Sequence, residues 1–110
     1  MMEAQTPQEF FDEILPLRFK PEKAKGINVT VQVNITGPQG GDWTVEIKDQ
    51  KLSVCKGNNP LPKLTIGATD ADFLDIVNDK LSAQKAFFTG KIKLKGDVGL
   101  ALKLRDAGFL

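Results

Sequence analysis

At 110 residues, with 41% hydrophobic and 26% charged side chains, the chain has the length and composition of one globular domain, 1–110, able to bury a core. It has no His, no Tyr, a single Cys and seven Phe, which removes histidine-based acid–base catalysis and zinc ligation and leaves Trp43 as the one aromatic ring with a polar handle. Fifteen Lys and Arg against fourteen Asp and Glu lack the basic excess of a nucleic-acid binder, so neither DNA nor RNA is expected as a partner, and no cofactor is expected.

Thr6-Pro7-Gln8-Glu9 has the form of a capping box with Pro at the first helical position, predicting a helix from Pro7 to about Leu15. Phe10, Phe11, Ile14 and Leu15 share its apolar face, and the stretch from Pro16 to Lys20 is expected to end it. Pro21 to Gly26 reads as a short turn, led by Pro and closed by Gly. Ile27, Val29, Val31, Val33 and Ile35 then alternate with Asn28, Thr30, Gln32, Asn34 and Thr36, a period of two that makes a strand with one apolar and one wet face.

A loop at 37–41 leads to a second strand with Trp43, Val45 and Ile47 on one face. Asp49-Gln50 suits a hairpin turn although it lacks the usual Gly, and Leu52 and Val54 continue a third strand. Asn58 to Pro62 interrupts the pattern; Leu64, Ile66 and Ala68 supply a fourth strand. Thr69-Asp70-Ala71-Asp72 caps a helix bearing Phe73, Leu74, Ile76 and Val77, and Ser82 caps a shorter one bearing Ala86, Phe87 and Phe88 that stops at Gly90. Lys91-Ile92-Lys93-Leu94-Lys95 is a fifth strand, after which Asp97 caps a last helix from Val98 to about Arg105.

Strands with one apolar face need helices on that face, which gives a two-layer α+β domain: a five-stranded, mostly antiparallel sheet covered on one face by helices. All seven Phe fall outside the strands, so Phe10, Phe11, Phe73, Phe87 and Phe88 are expected to converge on one space between the layers. The last helix is unusual, because Val98, Leu100, Ala101, Leu102 and Leu104 surround it, leaving Lys103 and Arg105 as its main polar relief. Such a helix either is buried by chain neighbours or a second subunit, as in an interaction or homodimerisation module, or lines an apolar ligand cavity.

Gly90 to Asp97 has the wrong glycine spacing for a phosphate loop. Its lysines at 91, 93 and 95 read as the solvated face of a strand, protecting an edge, with transient attraction to anionic membrane surfaces as the alternative. Lys20, Lys23 and Lys25 are solvated lysines or, for Lys25, a partner for a ligand carboxylate at a cavity mouth. Asp70/Asp72 and Asp12/Glu13 sit at helix N-termini, where the macrodipole accounts for them. Cys55 has no His to activate it, so a non-enzymatic protein is expected.

Gly90-Lys-Ile-Lys-Leu-Lys-Gly96-Asp97 followed by Leu100-Ala-Leu-Lys-Leu104, with the strand Trp43-Thr-Val-Glu-Ile47 and the helix start Thr69-Asp-Ala-Asp-Phe-Leu74, resembles the sterol carrier protein family of non-specific lipid-transfer domains along essentially the whole chain. The resemblance implies helices over a five-stranded sheet with an apolar tunnel between the layers, holding a long-chain fatty acid, acyl-CoA or sterol. It implies Lys25 as a carboxylate partner, because insect-type members place a basic side chain just before the first strand. The lining expected on this basis is Phe10, Ile14, Leu15, Leu17, Phe19, Val29, Val31, Phe73, Ile76, Val77, Phe87, Phe88, Leu100, Leu102, Leu104 and Phe109.

The chain departs from the family in two ways: it ends Gly-Phe-Leu instead of a Ser-Lys-Leu type peroxisomal address, and its first helix is acidic where some members use a basic one to touch membranes. Cys55 cannot close an intrachain disulfide, and the polar segment MMEAQTPQEFFDE lacks the pattern of a secretory signal, so an intracellular, cytoplasmic lipid carrier is expected.

Overall fold

The computed structural model describes residues 3–59 and 61–108. Thr6 opens the first helix by accepting a hydrogen bond from the Glu9 backbone N–H at 3.1 Å. The Glu9 carboxylate reaches back to the Gln5 N–H at 2.8 Å, one residue before the expected partner. Three segments then run as one rod: α1 (Pro7–Glu9), a π-helical turn (Phe10–Ile14) and α2 (Leu15–Arg18). The rod therefore continues through Pro16, where the sequence led to an expected break. The wide turn explains this: the Leu15 N–H donates to the Phe10 carbonyl five residues back, loosening the ladder just where Pro16 has no donor to offer.

A short 3-10 turn (Pro21–Lys23) and Gly26 at φ +80° lead into β1 (Val29–Thr36), two residues later than the alternation begins. β2 (Gly41–Lys48) and β3 (Lys51–Lys56) form a hairpin in which Asp49 and Gln50 both adopt the left-handed conformation, with φ of 51° and 61°. That pair of dihedrals is what a two-residue turn matched to strand twist demands, so the hairpin closes without Gly. β4 (Leu64–Thr69), α3 (Asp70–Val77), α4 (Ala83–Phe88), β5 (Ile92–Gly96) and α5 (Gly99–Asp106) complete the order. Thr69 and Ser82 cap α3 and α4 from their side-chain oxygens. The Asp97 carboxylate accepts from Leu100 N at the start of α5.

The sheet order is β3-β2-β1-β4-β5. β1 pairs antiparallel with β2 and parallel with β4; the β2–β3 and β4–β5 pairs are antiparallel. The registers Val33↔Trp43, Val33↔Ile66 and Ile66↔Leu94 put the apolar residues of neighbouring strands on one face. The helices supply the buried side chains opposite that face, and one cluster from Ala4 to Ala107 forms the core. On the wet face Gln32 is nonetheless buried: its Oε1 accepts from Asn59 N at 2.7 Å and its Nε2 donates to the Gly57 carbonyl at 3.1 Å, holding the 57–59 loop against the sheet.

The five phenylalanines do not converge. Phe10, Phe11 and Phe73 are fully buried and pack with Trp43, whose indole is stacked on Phe11 at 4.8 Å between centroids. Among the described residues, Phe87 and Phe88 pair with no aromatic ring but each other, at 5.9 Å, and are 41% and 76% exposed. The cause is topological. The rod packs near Trp43 of β2, whereas α4 borders β5, three places away across the sheet.

Candidate apolar lipid groove

Ser82 fixes the start of α4 and Gly90, at φ +79°, ends it and turns the chain into β5. β5 is an edge strand, and Gly96, at φ +106°, lets the backbone pass against the Lys63 carbonyl, where a Cβ would lie 2.4 Å from the oxygen. Asp97 then starts α5, which returns over the sheet with Leu100 and Leu104 buried beneath it. The far end of α5 is tied to the first rod, because Lys20 N donates to the Ala107 carbonyl at 2.9 Å.

Between α4, β5 and α5 this path leaves a groove of about 330 Å³. Phe87 and Phe88 form one wall, Ile92 and Leu94 the floor, and Val98, Ala101 and Leu102 the other wall. Among the described residues, Gln84 and Arg105 carry the only polar side chains lining it. Its volume lies within the range of about 300–1,000 Å³ that small-molecule sites occupy. The groove lies between the layers at their β5 end and opens to solvent along one side, since Val98 and Leu102 are 42% and 60% exposed alongside the two Phe rings. A larger hollow of about 730 Å³ lies beside β3, but Asp12, Gln50 and Lys51 interrupt its apolar wall of Phe11, Phe19, Leu52 and Val54.

Of the lining residues expected from the sequence, Phe87, Phe88 and Leu102 come together in the groove. Phe10, Ile14, Leu15, Val31, Phe73, Ile76, Val77, Leu100 and Leu104 are buried core residues and line neither space. They pack into the core cluster between the sheet and the helices, away from both hollows. Leu17 points outward and is 70% exposed, because the rod continues past Pro16 and turns it away from the core. Phe19 lines the hollow at β3, and Val29 a small depression with Ile47 and Leu61. Phe109 lies outside the described residues.

Lys25 is exposed on the turn before β1 and borders neither the groove nor the hollow at β3. The cation that does border the groove is Arg105, in the last turn of α5. Arg105 takes part in no ion pair among the described residues, where Lys80 and Glu3 form the one such pair at 3.0 Å. In the sequence it reads as polar relief on a greasy helix; its position two turns after Val98 and one after Leu102, on the same face, was the available signal.

The sequence model of the SCP-2 sterol transfer family matches residues 11–107. Sterol carrier protein 2 of Homo sapiens is 40% identical over 72 residues, which are 64% of this chain and 13% of that protein. Among solved structures, palmitated SCP2L2 from Aedes aegypti superposes with a TM-score of 0.71 at 30% identity, covering 89% of this chain and 90% of the other. A double mutant of the sec-alkyl sulfatase PisA1 gives a TM-score of 0.85 at 27% identity, covering 94% of this chain but 16% of the sulfatase. The chain thus corresponds to nearly the whole of the insect protein and to a small part of the human protein and the sulfatase.

Proposed function

This chain belongs to the SCP-2 sterol transfer family, whose common function is lipid binding and transfer, and we propose that it holds a long-chain fatty acid, acyl-CoA or sterol in the groove between α4, β5 and α5 and carries it between membranes or enzymes. The observation that carries the reading is the contiguity of Phe87, Phe88, Val98 and Leu102, four large apolar side chains left exposed around one hollow. A soluble domain rarely leaves such side chains together without a use for them. The palmitated relative from Aedes aegypti supports an acyl chain as one ligand class.

The energetics favour a chain-dominated site. Each methylene laid into the groove contributes about 0.8 kcal/mol, before the losses of association are subtracted. Arg105 on the rim adds at most about 1 kcal/mol toward a carboxylate, because an exposed ion pair is screened by water. It orients an acid head-out without setting the affinity. Catalysis has no part in this reading, and neither does any metal or cofactor; a cytoplasmic site of action belongs to it.

Displacement of a fluorescent fatty acid by unlabelled fatty acids, acyl-CoA and cholesterol tests the proposal and ranks the three classes. Saturable displacement by at least one class supports it. Absence of any saturable binding by protein stripped of lipid overturns it.

A further inference from the structure

The two edges of the sheet are built differently. β5 carries lysines at its wet-face positions, Lys93 and Lys95, a usual guard against strand addition. β3 keeps its lysines to the ends, Lys51 and Lys56, with Ser53 and Cys55 exposed between them. Lys48 and Lys51 flank the two-residue turn and so form a hydrogen-bonded pair, and the alternation makes Glu46–Ser53 and Thr44–Cys55 the next two. The Gly57 N–H donates to the Asp42 carbonyl at 2.9 Å, where the same alternation places a further pair. The N–H and C=O groups of Leu52 and Val54 therefore point away from β2, toward the free edge. The half-buried side chains of the same two residues line the hollow of about 730 Å³, facing it together with Phe11 and Phe19. The Gln50 amide donates to the Pro21 carbonyl at 3.0 Å, which fixes the hairpin tip to the segment after the rod.

We propose that the edge of β3 and the hollow beside it form a docking site for an extended acidic peptide, added antiparallel as a further strand of the sheet. Two apolar side chains of the peptide, at i and i+2, pair with Leu52 and Val54 and enter the hollow, while an acidic residue beside them meets Lys51 on the other face. Charge selects this occupant: β3 carries two lysines and no acidic residue, so a strand alternating acidic with apolar residues complements it. Asp12, exposed at the rim of the hollow, repels a carboxylate on the inner positions and so sets which face of the peptide turns in. A second copy of β3 fits less well, because self-pairing would bring the lysines of both strands to one seam. The site lies at the opposite edge of the sheet from the lipid groove and stands or falls separately.

The test is fluorescence anisotropy of the full chain with a labelled peptide of alternating Glu and Val, about seven residues long, the span of an ordinary strand. Saturable binding is expected, weakened by salt. A peptide with Lys in place of Glu should bind at least about tenfold more weakly. N-methylation of the Val amides, which face β3, should abolish binding, whereas N-methylation of the Glu amides, which face away, should leave it within about twofold. Both lysines chosen for substitution are exposed: Lys51→Glu should weaken binding about fivefold, and Lys93→Glu, on the far edge, by less than about twofold. Fatty acid and peptide should bind together. Equal binding of the Glu and Lys peptides, equal losses from the two methylation patterns, or displacement of the peptide by a fatty acid overturns the docking site. So does a stable dimer that protects the Leu52 and Val54 amides from hydrogen exchange, because a second copy then occupies the edge. Peptide binding by a chain that binds no lipid would leave this site standing and remove the carrier reading.

Discussion

The Phe11 ring lies stacked between the Trp43 indole, at 4.8 Å and 21°, and the Phe73 ring, at 5.4 Å and 20°. One side chain from the first rod thus joins β2 to α3, and the three rings form part of the core between the layers. The hollow with the less interrupted apolar lining lies at the β5 end. Packing falls to Phe10, Phe11 and Phe73 and the proposed binding to Phe87 and Phe88, and mutations should separate the two.

Phe11→Ala should destabilise the fold by about 3–5 kcal/mol, the cost of emptying a fully buried aromatic site. Phe88→Ala, at an exposed position, should change stability by about 0.5 kcal/mol or less. Chemical denaturation of both variants checks the contrast; equal losses would mean that the groove wall belongs to the core.

Leu102→Asp should weaken fatty-acid binding by about tenfold or more while the protein stays folded, because a carboxylate replaces part of the apolar wall of the proposed site. Lys25→Ala should leave affinity within about twofold. A displacement titration distinguishes them, and a larger effect at Lys25 would move the ligand head to the turn before β1.

Arg105→Gln should lower affinity for a fatty acid by about fivefold and for the matching fatty alcohol by less, since only the acid presents a charge to the rim. The difference should shrink in high salt. Equal losses for acid and alcohol would show that Arg105 contributes packing alone.

Gln32→Ala should cost about 1–3 kcal/mol, because it strips the partner from Asn59 N and leaves the Gly57 carbonyl with the Thr44 hydroxyl alone. Hydrogen exchange should accelerate at 57–59 while the amides of β4 stay protected. Unchanged exchange at the loop would show that it is held by something other than Gln32.

The strands were legible because Ile27 to Thr36 alternates almost without exception and the same period recurs through Trp43, Val45 and Ile47. Helix starts were legible from single side chains: Thr6, Thr69 and Ser82 all cap as their spacing suggests. The parallel β1–β4 pair was not, since a period of two says which face a residue takes and nothing about which strand lies beside it. The rod through Pro16 depends on a π-helical turn, a backbone choice that residue types alone do not dictate.

The groove was half legible. An α5 apolar all round pointed to surface without a partner, and Leu102 is where that surface emerges. Phe87 and Phe88 looked no different from Phe10 and Phe11, because all four sit on helices that cover the same sheet. Telling wall from core required knowing that the first rod packs near Trp43 while α4 borders β5, which only the sheet order supplies. Seeing that Arg105 borders the groove and Lys25 does not needed the same knowledge.

Native mass spectrometry of the protein purified without removal of lipid tests the central claim most directly. A monomer carrying an added mass that matches a fatty acid, an acyl-CoA or a sterol, lost in the Leu102→Asp variant, is the predicted result. An empty protein that stays empty when offered these lipids, or an empty stable dimer, would contradict it.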